Sequence, residues 1–143
     1  MHAGRDFVKV EATRDFEWII ERTGCILTAN ARAIQAVDDR GVVRGMVAYD
    51  CWTPNSVWCH MAVEAPIVWR SLLPTVFTYP LQDAGRGVLL ACNSARNEKA
   101  VNLTRRLGFS ETHRVRDGWA LGEDLIFWEM RKENCRFLAR SAA

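Results

Sequence analysis

Residues 57–92 constrain the fold of this chain more than any other stretch. Along Val57 to Val63, Val57, Cys59, Met61 and Val63 fall on one side of an extended chain, and Trp58, His60, Ala62 and the following Glu64 on the other. Both faces carry large groups, so this strand belongs in the middle of a sheet. Pro66 suits the first turn of a helix whose apolar stripe is Trp69, Leu72, Leu73, Val76, Phe77 and Leu81. Pro74 lies inside that stripe and deletes a backbone hydrogen bond, at a cost of roughly 3 kcal/mol, which predicts a bent helix or two short ones. After the loop signal Gly85-Arg-Gly87, the wholly apolar run Val88 to Cys92 has the character of a buried strand. Strand, helix and strand in succession require a right-handed crossover with the two strands parallel.

Upstream, Phe7 to Val10 gives a short first strand, and Thr13 is a candidate cap for a helix with the stripe Phe16, Ile19 and Ile20, ending at Gly24. Cys25 to Asn30 is ambiguous between loop and helical turn. Ala33 to Val37 and Val42 to Tyr49 form a hairpin around Asp38-Asp-Arg-Gly41, with a second turn over Trp52 to Ser56. Downstream, Asn97 starts a helix in which Ala100, Leu103 and Leu107 share one face, and Gly108 sits where the helix end needs a left-handed backbone. Strands follow around Thr112 to Val115 and from Asp124 to Met130, separated by a loop through Gly118 and Gly122. Cys135 to Leu138 reads as a short terminal turn. No repeat, low-complexity tract or linker interrupts the chain, so one domain over 1–143 is expected.

With 143 residues, 49% of them apolar, the chain can bury an ordinary core without staples. The net charge of +2 comes without a long basic run. A nucleic-acid surface on Arg105, Arg106, Arg114 and Arg116 is therefore disfavoured. No apolar run approaches the roughly 20 residues of a membrane span, and Arg5, Asp6 and Lys9 interrupt the N-terminus where a signal peptide needs an apolar core. A cytoplasmic protein is expected. The five cysteines are scattered, with no pair at metal-knuckle or redox spacing, so no metal site is expected. Cys59 and His60 are adjacent but point to opposite faces of a strand, which argues against a catalytic pair.

The order of elements, and the run Asn97, Ala100, Leu103, Leu107-Gly108-Phe109, resemble the GCN5-related N-acetyltransferase superfamily and its Asn-x-x-Ala-x-x-Leu-Tyr-x-x-Leu-Gly-Phe pattern. The resemblance covers about residues 33–131. The stretch Gly122-Glu-Asp-Leu-Ile-Phe-Trp-Glu-Met130 and the following Arg-Lys-Glu-Asn-Cys-Arg look like compact members encoded by phages. This resemblance implies an α/β (α+β) fold with a mixed central sheet of about six or seven strands flanked by helices. It also implies an enzyme that moves an acetyl group from acetyl-CoA to an amine of a small molecule or protein. The alternative is an inactive phage protein with this fold, a virion component or a binder of a host protein, acting in the host cytoplasm or the virion. A homodimer is left open.

Two departures from the family pattern matter. The glycine-rich loop that cradles the coenzyme A pyrophosphate is replaced by Glu64-Ala-Pro-Ile-Val-Trp-Arg-Ser71, in which Arg70 is the available cation. Thr104 stands where a tyrosine usually protonates the departing thiolate. By resemblance, the backbone of Met61, Ala62 and Val63 binds the pantetheine arm and Asn97 contacts the cofactor from the other side; as a plain helix cap, Asn97 needs no ligand. His60 and Glu64, on the face lining the site, are candidate general bases. Their alternatives are a histidine packed near Trp58 and a solvated loop glutamate. Trp52, Trp58 and Trp119 are candidate walls of an aromatic cage, and Asp117, Glu123 and Asp124 candidate attractants for a cationic acceptor, against ordinary core and loop roles.

Overall fold

The computed structural model describes residues 8–138, so Phe7, the first residue of the expected opening strand, lies outside it. Its seven strands make one sheet: β1 (Lys9–Thr13), β2 (Arg32–Val37), β3 (Val43–Asp50), β4 (Ser56–Val63), β5 (Val88–Ser94), β6 (Ser110–Ala120) and β7 (Glu123–Arg131), in the order β1-β2-β3-β4-β5-β7-β6. Only β4 and β5 run parallel; every other pairing is antiparallel. The helices are α1 (Glu17–Thr23), α2 (Pro66–Val76) and α3 (Glu98–Leu107).

Side-chain alternation divides the core between the two faces. Val47, Tyr49, Val57, Cys59, Leu89, Ile126 and Trp128 pack beneath α2 and α3, while Met46, Ala48 and Ala33 pack with Ile19 of α1 on the opposite face. Of the expected α1 stripe Ile19 is buried and Phe16 partly so, while Ile20 is 42% exposed; Gly24 ends the helix in a left-handed conformation. Thr13 does not cap it: this residue closes β1, and its hydroxyl accepts from the Asp15 N–H instead. Cys25 to Asn30 forms no helical turn but a loop ending in a simple turn.

The helical stripe divides in two as expected, but not at Pro74, which α2 runs through. α2 ends at Val76, and the chain re-forms as a π-helical turn, Tyr79–Asp83, closed by the Ala84 N–H on the Tyr79 carbonyl at 2.9 Å. The break leaves late α2 carbonyls without helical partners, that of Val76 because the residue four positions on is Pro80, which has no N–H. The fully buried Tyr49 hydroxyl takes one, donating to the Val76 carbonyl at 2.7 Å, and burial pushes the Tyr49 hydroxyl pKa well above its ordinary value.

α3 closes as its sequence dictates. Gly108 sits at φ +103°, its N–H bonds the Arg105 carbonyl and the Phe109 N–H bonds the Thr104 carbonyl, which is a Schellman closure. The last hairpin is longer than the sequence suggests. β6 continues through Gly118, because its register against β7 jumps from Val115↔Leu125 to Ala120↔Glu123 and the residues between bulge outward. Gly118 is required there: a Cβ would lie 2.8 Å from Val115 and 2.9 Å from Leu125.

Replacing Tyr49 by Phe removes one hydroxyl and orphans the Val76 carbonyl. The expected loss is about 1–2 kcal/mol, read as a lower urea midpoint at unchanged slope. An unchanged midpoint would mean that the carbonyl finds water.

Candidate active site

β4 and β5 pair only over Ser56↔Val88, Val57↔Leu89 and Trp58↔Leu90. Asn55 sets this register, its carbonyl accepting from the Val88 N–H at 3.1 Å. Where the ladder stops, Trp58 meets Phe127 edge-on at 5.8 Å, so a ring contact spans from β4 to β7 over β5. Beyond it β4 stays with β3, through Gly45↔Val63, while β5 stays with β7, through Ser94↔Leu125. The two strands diverge. From Cys59 on, the β5-facing edge of β4 has no ladder partner, and its backbone donors and acceptors there are available to a ligand.

A cavity of about 760 Å³ occupies this opening, within the size range of small-molecule sites. On the α3 side its wall is Ala91, Ala100, Leu103, Leu107 and Phe109; on the α1 side it is formed by the segment from Arg22 to Ile26, with His60, Cys92 and Trp119. Met61, Ala62, Val63, Asn97 and Thr104 all border it.

His60 projects from β4 on the α1 side, and its Nε2 lies 2.8 Å from Asp50 Oδ1. Asp50 ends β3, is 2% exposed, and accepts from the Thr28 N–H at 3.2 Å through its other oxygen. A carboxylate only accepts, so this contact puts the imidazole proton on Nε2 and leaves the Nδ1 lone pair to act as a base. His60 is thus paired with a buried carboxylate. Asp50 was not legible beforehand: it sits diagonally across the ladder from His60, since Ala48↔His60 and Asp50↔Trp58 are the direct pairs. A carboxylate at the end of a strand whose hairpin partner carries a histidine was the only available signal.

The other singled-out residues sort differently. Glu64 lies outside the cavity lining, 2.6 Å from Arg44 Nε and 3.8 Å from Arg22 Nη2, so its carboxylate is engaged by two guanidiniums. Thr104 borders the cavity, but its hydroxyl donates to the Ala100 carbonyl at 2.6 Å and accepts from the Asn93 amide at 3.1 Å. Its single proton is thus already committed. Asn93, which sequence reasoning passed over, also accepts from the Trp128 indole N–H and ties β5 to both α3 and β7. Asn97 caps α3, accepting from the Ala100 N–H at 3.2 Å, and lines the cavity as well. Arg70 is exposed on the second turn of α2, outside the lining. At that helix start Pro66 has no N–H, and the Val68 N–H bonds the Ala65 carbonyl at 3.0 Å.

No aromatic cage forms from the three tryptophans. Trp52 packs with Tyr49 and Tyr79, Trp58 with Phe127, and of the three only Trp119 reaches the cavity. The acidic cluster is spent on the last hairpin. Asp117 accepts from the Gly122 N–H, Asp124 from the Asp117 N–H, and Glu123 from the Ser94 hydroxyl at 2.6 Å. Arg114 and Arg116 pair with Glu111 and Asp117, and Arg105 lies over the Trp128 ring, so these cations form no continuous basic stripe. Cys59 is buried and Cys92 faces the cavity; burial raises both thiol pKa values, which leaves neither suited to nucleophilic attack. Among the described residues no helix is long and apolar enough to cross a membrane, and no group of three His, Cys, Asp or Glu side chains could hold a metal.

No sequence-family model and no curated protein matches the chain in sequence. Solved structures do match its shape. Spermidine/spermine N-acetyltransferase SpeG from Vibrio cholerae aligns with TM-score 0.72 at 14% identity, over 88% of this chain and 93% of that one. A dodecameric structure of spermidine N-acetyltransferase from the same organism gives 0.72 at 16%, over 94% and 98%. A probable acetyltransferase gives 0.61 at 20%, over 73% and 63%. The mixed seven-stranded sheet, with its diverging parallel pair and flanking helices, has the GCN5-related N-acetyltransferase fold.

Proposed function

We propose that this chain is an enzyme that transfers an acetyl group from acetyl-CoA to an amine. The observation that carries the reading is the position of the Asp50–His60 pair, on the acceptor side of a cavity that opens where β4 leaves β5. The apolar α3-side wall fits a pantetheine arm, and the unpaired edge of β4 at Met61, Ala62 and Val63 offers it backbone hydrogen bonds. The phosphate end fits less fully. Pro66 and the engaged Val68 N–H leave few backbone donors, so the load falls on side-chain cations: Arg70 on α2 and Lys99, which lines the cavity.

The acceptor nitrogen attacks the acetyl carbonyl carbon, the carbon–sulfur bond breaks, and the coenzyme leaves as a thiolate. His60 Nδ1 takes the proton lost by the amine, and Asp50 holds the ring in that tautomer and steadies the charge it gains. Thr104 keeps its proton on the Ala100 carbonyl, so water protonates the thiolate, whose ordinary pKa near 8.5 makes that step undemanding. Asn97 adds a side-chain amide to the coenzyme while capping α3. Glu64, held by Arg44 and Arg22, takes no part in proton transfer.

Titration calorimetry with acetyl-CoA tests the binding half. Micromolar affinity is expected, falling roughly tenfold or more in Arg70→Ala or Lys99→Ala, the size of one lost charge-assisted hydrogen bond. Absence of binding at millimolar acetyl-CoA would sink the enzyme reading and favour the inactive phage-protein alternative, to which the proline-started α2 and the committed Thr104 hydroxyl already lend weight.

The chemistry is tested separately. His60→Gln is expected to lower kcat by about 10² or more with acetyl-CoA affinity unchanged. Asp50→Asn should lower kcat by a smaller factor, again with affinity unchanged. Equal turnover in wild type and His60→Gln would remove the base from the mechanism.

A further inference from the structure

The acceptor side of the cavity has an unusual charge balance. Among the described residues that line the cavity there is no aspartate or glutamate, and the cation on the acceptor side is Arg22, Lys99 standing on α3. The acids nearby are all occupied. Asp50 is buried against His60, Glu64 faces Arg44 and Arg22, Glu21 faces Arg22 as well, and Asp117, Asp124 and Glu123 hold the last hairpin together by hydrogen bonds. Arg22 is itself fixed, its guanidinium 3.8 Å from the Trp18 ring centroid and donating to the Trp18 carbonyl.

The same mouth is apolar. Ile26 is 92% exposed and Trp119 51%, and both line the cavity, one on the loop after α1 and the other on the β6 bulge. Cys25 and Cys92 border it too, and their thiols are weakly polar surfaces rather than charges. Two large hydrophobes exposed at the rim of a ligand cavity gain most by closing on an apolar body. A second ammonium group at that rim would meet the Arg22 guanidinium and no carboxylate free to pair with it, and would lose hydration without a partner.

Resting on the acetyltransferase reading, we infer that the acceptor is a primary amine with an apolar, aromatic-sized body and no second positive charge. It is not a polyamine, the substrate class named for the SpeG proteins that share the fold. The amine is directed to His60, and its body lies between Ile26 and Trp119. The rim chosen by the acceptor is therefore set by residues outside the coenzyme side of the cavity.

The test uses 2-phenylethylamine and spermidine as probes, with coenzyme release and calorimetric binding measured in parallel. 2-Phenylethylamine is expected to exceed spermidine at least tenfold in kcat/KM. Trp119→Ala should raise its KM severalfold at unchanged kcat, and Ile26→Glu, at a position with little packing to lose, should narrow the gap by admitting spermidine. Preference for spermidine by the wild type overturns the inference, as does failure of 2-phenylethylamine to bind. Binding of 2-phenylethylamine without coenzyme release in any assay supports the rim assignment while rejecting acetyl transfer, so the two failures are told apart.

Discussion

The shortness of the parallel ladder between β4 and β5 governs the rest of the molecule. Three residue pairs fix the register of the crossover, and after Trp58 and Leu90 each strand follows its antiparallel neighbour. Antiparallel pairing is slightly the more stable per residue, so right-handed twist in each half-sheet can draw the two strands apart at modest cost. A ladder carried on to Val63 would close the sheet and leave the α3 wall separated from His60. As it stands, one opening connects the two faces, with the α3 wall on one side and His60 on the other.

Around this opening the protein uses its acids to hold backbone in place rather than to meet solvent. Asp38 accepts the Val42 and Arg40 N–H groups in the β2–β3 turn, and chiefly the Val42 bond holds its carboxyl below the usual range. Arg44 joins Asp38 to Glu64, and Arg22 extends the chain from Glu64 to α1. Such partly exposed pairs contribute little to stability one by one. Their common effect is geometric: they tie the end of β4 to the helix whose following loop makes the cavity rim.

The parts that alternation and helical spacing control were legible in the sequence. The two faces of Val57–Val63, the crossover to Val88, the division of the Trp69–Leu81 stripe into two short pieces and the Leu-Gly-Phe closure of α3 follow from local patterns of residue type and spacing. The parts that depend on register were not. Asp50 reaches His60 only through the diagonal offset of the β3–β4 ladder, and Asn93 acquires its role only when Thr104 and Trp128 arrive from α3 and β7. Nothing in residues 88–94 announces that pairing with β4 stops at Leu90. The acids near Gly118 looked like solvent-facing charges for the same reason: the bulge that uses them exists only once β6 and β7 are aligned.

That bulge also bears on how the molecule behaves at high concentration. β6 is the sheet's outer strand, 11 residues long and exposed along nearly its whole length, so its free backbone edge is a template for a neighbouring chain. The register jump after Val115 cuts the edge into a short charged run, with Glu111, His113 and Arg114, and a tip where Ala120 alone pairs, with Glu123. Asp117, at φ +55°, turns the backbone out of line between them. A stranger strand docking there would find too few consecutive groups to pair with, so the kink that brings Trp119 to the cavity also guards the protein against sheet-to-sheet aggregation.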